Sequence, residues 1–87
     1  IAIGSDGLPV ISYSAFSALT NGALKVAKCA NEACTGAATL STVDDQANVV
    51  GQYTSIAIGL DGLPVISYLD ATARTVKVAK CGTRSCQ

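Results

Sequence analysis

The 87-residue chain has six basic and six acidic side chains and no histidine, so its formal net charge is zero. The charges are scattered, which leaves no basic stripe of the kind that grips nucleic acid and no charged block of a solvated tail. Half the residues are apolar but only 5% are aromatic, a mix that suits thin β layers better than one large core.

Nothing approaches the roughly 18 apolar residues of a membrane-spanning helix, so neither a membrane span nor a nucleic-acid partner is expected. No signal peptide is visible. With no Met and a strand-like start, the chain is expected to be a mature product or a fragment of something longer.

Ile1 to Gly4 reads as a strand, with Ile1 and Ile3 on one face and Ala2 and Gly4 on the other. Ser5-Asp6-Gly7-Leu8 is a hairpin turn. Asp6 tolerates left-handed backbone and bonds to it locally, and Gly7 supplies positive φ. Pro9 opens a second strand, where a missing N–H costs least. Ile11 and Tyr13 share one face of it, Val10 and Ser12 the other. Ser14 to Gly22 reads as a loop with Asn21-Gly22 as its turn signal.

Ala23 to Cys29 is the third strand, with Leu24 and Val26 opposite Lys25 and Ala27. Ala30 to Ala33 turns between Cys29 and Cys34. A fourth strand is placed at Ala38 to Val43, and Asp44-Asp45-Gln46 ends it. Ala47 to Thr54 reads as a crossover, with Gly51 as a flexible point.

At Ile56 the pattern restarts. IAIGSDGLPVISY (Ile1 to Tyr13) recurs as IAIGLDGLPVISY (Ile56 to Tyr68), differing only at Ser5 against Leu60. The second turn is therefore Asp61-Gly62. KVAKC at Lys25 to Cys29 recurs at Lys77 to Cys81, and each copy is followed by another cysteine, Cys34 or Cys86. The first block recurs after 55 residues and the second after 52, because the loop Asp70 to Arg74 is shorter than its counterpart. Residues 1–55 form one unit with its crossover. Residues 56–87 form a second, incomplete unit with strands at Ser55 to Gly59, Pro64 to Leu69 and Thr75 to Cys81. A fourth would follow Gln87.

Four cysteines in a small β chain favour disulfides and an oxidising compartment. A zinc site built from thiolates alone also fits the spacing. For disulfides, the repeat picks Cys29 with Cys34 and Cys81 with Cys86, since each unit then closes its own bridge.

Four strands in up-and-down order within about 50 residues is the pattern of a propeller blade. Both faces of the first two strands are apolar or small, one bulky and one small, as a sheet buried between neighbours requires. The expected fold is all-β, with about 1.75 propeller blades of four antiparallel strands; a β-solenoid is the alternative. Such units need neighbours to cover their faces. The expected partners are other blades of the same chain or copies of it, joined by strand addition into a ring or a filament.

The recurring residues Ile3, Asp6, Gly7, Pro9, Ile11, Tyr13 and Lys25 to Lys28 resemble a repeat of bacterial secreted β-propeller proteins of the sialidase-like, BNR-repeat kind. So do Ile58, Asp61, Gly62, Pro64, Ile66, Tyr68 and Lys77 to Lys80. The resemblance covers both units and implies a blade fold in an extracellular or cell-surface protein. It implies no activity. The sialidase Asp-box needs a Trp that this chain lacks, and the carboxylate clamp of sialidases needs three arginines where this chain has Arg74 and Arg84.

No catalytic constellation stands out. Asp44-Asp45 is the one adjacent carboxylate pair, and neighbours in a strand point to opposite sides, so a strand-ending turn is the better reading. Without histidine there is no ordinary Ser/His triad. Asp6 and Asp61 lack the alternating ligands of a calcium loop. No cofactor or metal is expected. The repeating lysines read as solvated strand ends or edge protection, with a row for an anionic glycan as the alternative. Tyr13, Tyr68 and Asp70 are candidate ligand-loop residues for a glycan, against a core role for the tyrosines.

The expected function is therefore non-catalytic: structure, assembly or adhesion outside the cell. A carbohydrate-binding propeller and a fragment of a sialidase-like hydrolase are the alternatives.

Overall fold

The computed structural model describes residues 1–15, 22–45 and 49–86, and within them every regular element is a strand. Sheet one holds β1 (Ala2–Ile3), β2 (Pro9–Ala15), β3 (Ala23–Lys28) and β4 (Thr39–Asp44), in that order across the sheet. Sheet two holds β5 (Val50–Ile58), β6 (Pro64–Asp70) and β7 (Thr75–Lys80). All pairings are antiparallel between sequence neighbours. A solenoid instead pairs equivalent strands of successive coils in parallel, and no such pairing occurs among the described residues.

The sequence period places the faces correctly. In sheet one Val10, Ser12, Leu24, Val26 and Lys28 share a face through the pairs Val10↔Lys28, Ser12↔Val26 and Ser14↔Leu24. This is the valine face. The opposite, isoleucine face carries Ile3, Ile11, Tyr13, Lys25 and Ala27. In sheet two the isoleucine face carries Ile56, Ile58, Ile66, Tyr68, Lys77 and Ala79.

The two sheets stack with the valine face of sheet one on the isoleucine face of sheet two. Val10, Leu24 and Val26 meet Ile66, Tyr68 and Val50 in one core, with Val43, Ile56 and Ala79 partly buried at its margin. Each fully buried aliphatic side chain in this contact contributes about 1.5–3 kcal/mol. The molecule is 18 Å in its shortest dimension, as two sheets about 10 Å apart with their outer side chains require.

Three expectations change. The first strand of the second unit begins at Val50, not Ser55, so β5 runs straight through the repeat boundary drawn at 55/56. Its alternation is broken by register shifts between Val50 and Gln52 and between Gln52 and Ser55, with positive φ at Gly51 (92°) and Tyr53 (53°). That bulged stretch reads as a crossover in the sequence because it lacks a clean period of two. Second, Ser14 and Ala15 continue β2, and residues 16–21, the rest of the expected loop with Asn21, lie outside the described residues. Gln46 and Ala47 lie outside them too. Third, Asp70 ends β6 instead of opening the loop, which begins at Ala71.

At Gly51, β5 approaches the backbone of sheet one closely. A Cβ there would lie 2.9 Å from both the Ala23 carbonyl oxygen and Leu24 Cα. Glycine is needed both for its φ and for this approach.

Candidate functional site

The repeat encodes one local device twice. At the turn, Gly4 N–H donates to the Leu8 carbonyl at 2.9 Å and Gly7 N–H to the Gly4 carbonyl at 2.9 Å. Asp6 Oδ1 accepts from Leu8 N–H at 3.1 Å and from Lys28 Nζ at 2.8 Å. The second unit repeats this, with Asp61 Oδ1 accepting from Leu63 N–H at 3.1 Å and Lys80 Nζ at 2.8 Å. Hydrogen bonding to the lysine, then to the backbone N–H, holds both carboxyls below their ordinary value. Gly4 and Gly59 leave room for the lysine, since a Cβ would meet Nζ at 2.7 and 2.9 Å. Sequence reading found Asp6, Gly7, Asp61 and Gly62 as turn residues but took Lys28 and Lys80 for strand-end charges. The missed signal was that Asp and Lys recur together.

The cysteines pair as the repeat dictates, Cys29 with Cys34 and Cys81 with Cys86, with Cα–Cα distances of 4.9 and 4.7 Å. Each bridge closes a turn in which the second cysteine has positive φ, 58° at Cys34 and 62° at Cys86. No free thiol remains for a zinc site.

One polar cleft of about 470 Å³ opens where the units meet, lined by Val43, Asp44, Asp45, Tyr68, Lys77 and Val78. Tyr68 and Lys77 face each other across β6 and β7, and Asp44 reaches them from the end of β4. The Tyr68 hydroxyl donates to Asp44 Oδ2 at 2.7 Å. Lys77 Nζ lies 3.8 Å from Asp44 Oδ2 and 3.7 Å from Asp70 Oδ2. Asp70, with its side chain only 1% exposed, also accepts from Ala73 N–H at 2.9 Å and so holds the loop after β6. Burial first, then the neighbouring Asp44 carboxylate, pushes the Tyr68 hydroxyl up to about 12.

This is an ion-paired network in which one lysine serves two carboxylates. An acid/base pair for glycoside cleavage needs room between its carboxyls for the scissile bond or a water. Here Lys77 stands between Asp44 and Asp70, and each carboxylate is committed to a neighbour in the fold.

The proposed ligand-loop residues do not form one surface. All three lie on strands. Tyr68 and Asp70 come together, but both are buried, Tyr68 in the core shared with sheet one. Tyr13 lies on the isoleucine face of sheet one, the side away from sheet two. Of the two roles weighed for it, Tyr68 takes the place of a core residue, at 6% exposure among the side chains packed between the sheets.

Further contacts tie sheet one and its turns to sheet two and its turns. Ser12 Oγ donates to Thr54 Oγ1 at 2.9 Å, Ser41 Oγ to the Ser85 carbonyl at 3.0 Å, and Ser5 Oγ to the Gly62 carbonyl at 3.3 Å.

Neither a protein-family model, nor a curated protein, nor a solved structure matches this chain.

Proposed function

We propose that the chain is a structural, non-catalytic segment of an extracellular protein. Its units are blades of a larger propeller or of a self-assembling polymer. The observation that carries this reading is the duplication of three structural devices. Turn, Asp–Lys pair and cysteine-closed loop are repeated in both units, and in the cleft Tyr68 and Lys77 of the second unit engage Asp44 of the first. Two bridges in so small a β chain suit an oxidising, extracellular setting.

A glycan array probed with the oxidised chain, beside turnover of a fluorogenic sialoside, tests it. Silence in both is the expected result. Glycan binding that disappears in Tyr13→Ala would replace the structural reading with a carbohydrate-binding one. Sialoside turnover would replace it with a hydrolase.

A further inference from the structure

The contact between the two units uses one face of each, and the remaining two faces are its unfilled halves. The equivalences follow from the repeat. Val65, Ser67, Val78 and Lys80 of sheet two stand where Val10, Ser12, Val26 and Lys28 stand in sheet one. The first set shares one face, through Val65↔Lys80 and Ser67↔Val78. In sheet one this valine face is sealed, with Val10 and Val26 at 0% exposure; in sheet two Val78 is 67% exposed.

The isoleucine faces show the reverse. Ile66 and Tyr68 are buried in sheet two, while their equivalents Ile11 and Tyr13 are only partly covered in sheet one and Ile3 is 60% exposed. An isoleucine face and a valine face thus lie open at opposite ends of the stack. Their chemistry matches a contact already formed inside the chain.

We propose that a second copy of this chain stacks head to tail on the first. The valine face of its sheet two covers the isoleucine face of the next copy's sheet one. The single difference between the long repeats fits this contact. Ser5, in the first unit, touches the turn of the second at Gly62. Its equivalent Leu60 is fully exposed and would reach the Gly7 turn of the next copy. A Cβ placed on Gly7 meets nothing within 4 Å, so that spot is open. Val76 replaces Leu24 and Leu69 replaces Ser14, which keeps the face apolar. Because the contact joins unlike faces, repetition gives a closed ring or an open filament, not an isolated two-fold dimer.

The proposal deepens the assembly reading above and rests on it. Sedimentation velocity on the oxidised chain over a concentration series tests it, with Ile11→Lys closing one face and Val65→Lys the other. Both positions lie on central strands, so the sheet edges stay unchanged. Wild type is expected to grow beyond a single chain with concentration, and each variant alone to sediment as a single chain. An equimolar mixture is expected to give a 1:1 pair and nothing larger, since it holds one good face of each kind. Circular dichroism and the absence of free thiols verify folding. If either variant misfolds, the more exposed Ile3→Lys and Val78→Lys replace them.

A wild type that stays a single chain overturns the stacking while leaving the structural reading intact. Variants that assemble as well as wild type also overturn it. A mixture that stays unpaired overturns the head-to-tail order. A positive glycan array, by contrast, counts against the functional reading whatever the assembly state.

Discussion

Tyr68 on β6 of the second unit donates its hydroxyl to Asp44 at the end of β4 in the first, at 2.7 Å. The bond joins residues 24 apart in sequence, across the stacked faces of two sheets. It makes the end of β4, which in sequence is only a strand stop, part of the seam between units.

Tyr68→Phe keeps the ring and removes this bond. Lys77 still faces Asp44, so the carboxylate keeps a partner and the expected loss is about 1–2 kcal/mol. Tyr13→Phe changes the equivalent residue on the open face and is expected to stay within about 0.5 kcal/mol. Urea unfolding of both variants reads the difference. Equal midpoints would show that the bond adds nothing to the seam.

The same tyrosine sets an alkaline limit. An unfolded tyrosine ionises near 10, whereas Tyr68 holds its proton to about 12 in the fold. Between those values the unfolded state binds fewer protons than the native state, so stability falls as pH rises. Below 10 the contribution is complete. Thermal unfolding between pH 9 and 12 is expected to show this descent in wild type and a shallower one in Tyr68→Phe. Identical slopes would assign the alkaline loss to other groups.

Acid acts through Asp6 and Asp61, whose carboxyls sit below the ordinary 3.8 in the fold. Their stabilisation is present above that value and fades as pH falls through the lower folded value. The two turns share one geometry but differ in cover. The Lys28 side chain is 8% exposed, that of Lys80 45%. Asp6→Asn leaves a buried ammonium without its counter-charge, whereas Asp61→Asn leaves a solvated one. Asp6→Asn is therefore expected to lower the melting temperature at pH 7 more than Asp61→Asn, and both to flatten the acid limb. The reverse order would mean that neighbour cover does not govern the pair.

What the sequence disclosed was whatever repeats. The two-residue period put Val10 with Ser12 and Ile11 with Tyr13, and one cysteine pair per unit gave the bridges. What it hid was whatever occurs once. The stretch from Val50 to Thr54 carries strand-forming residues, but the bulge at Gly51 and Tyr53 destroys the alternation that would reveal them. The Asp44–Tyr68–Lys77–Asp70 network was also illegible. Its members come from three strands, and only the stacking of one unit on the next brings Asp44 to the other three. Burial of Tyr68 against partial exposure of Tyr13 is likewise a property of position in the stack, since their strand neighbours Ile66 and Lys77 are matched by Ile11 and Lys25.

Gly51→Ala tests the close approach of β5. The new methyl would fall 2.9 Å from backbone atoms at Ala23 and Leu24, and the backbone there holds φ at 92°. Strain and overlap add, so a loss on the order of 2 kcal/mol or more is expected. Gly7→Ala supplies the control, with a similar φ of 82° but open space around it, and is expected to cost less. Equal losses in chemical denaturation would assign the whole effect to φ.

The two disulfides close rings of the same size, so chain entropy gives each about the same contribution, on the order of 2 kcal/mol. Their surroundings differ. Cys81 and Cys86 belong to the buried core between the sheets, whereas Cys34 is exposed. Reductant reaches a sulfur only where access allows. Stepwise reduction with alkylation and peptide mass mapping is therefore expected to open Cys29–Cys34 first. Replacing each pair by alanine separates cover from cross-linking. The Cys81/Cys86 pair is expected to cost more than the Cys29/Cys34 pair, because it also removes packed sulfur from the core. If Cys81–Cys86 opens first, the second loop does not stay seated on sheet one in solution, and the hydrogen bond from Ser41 to Ser85 is not holding it there.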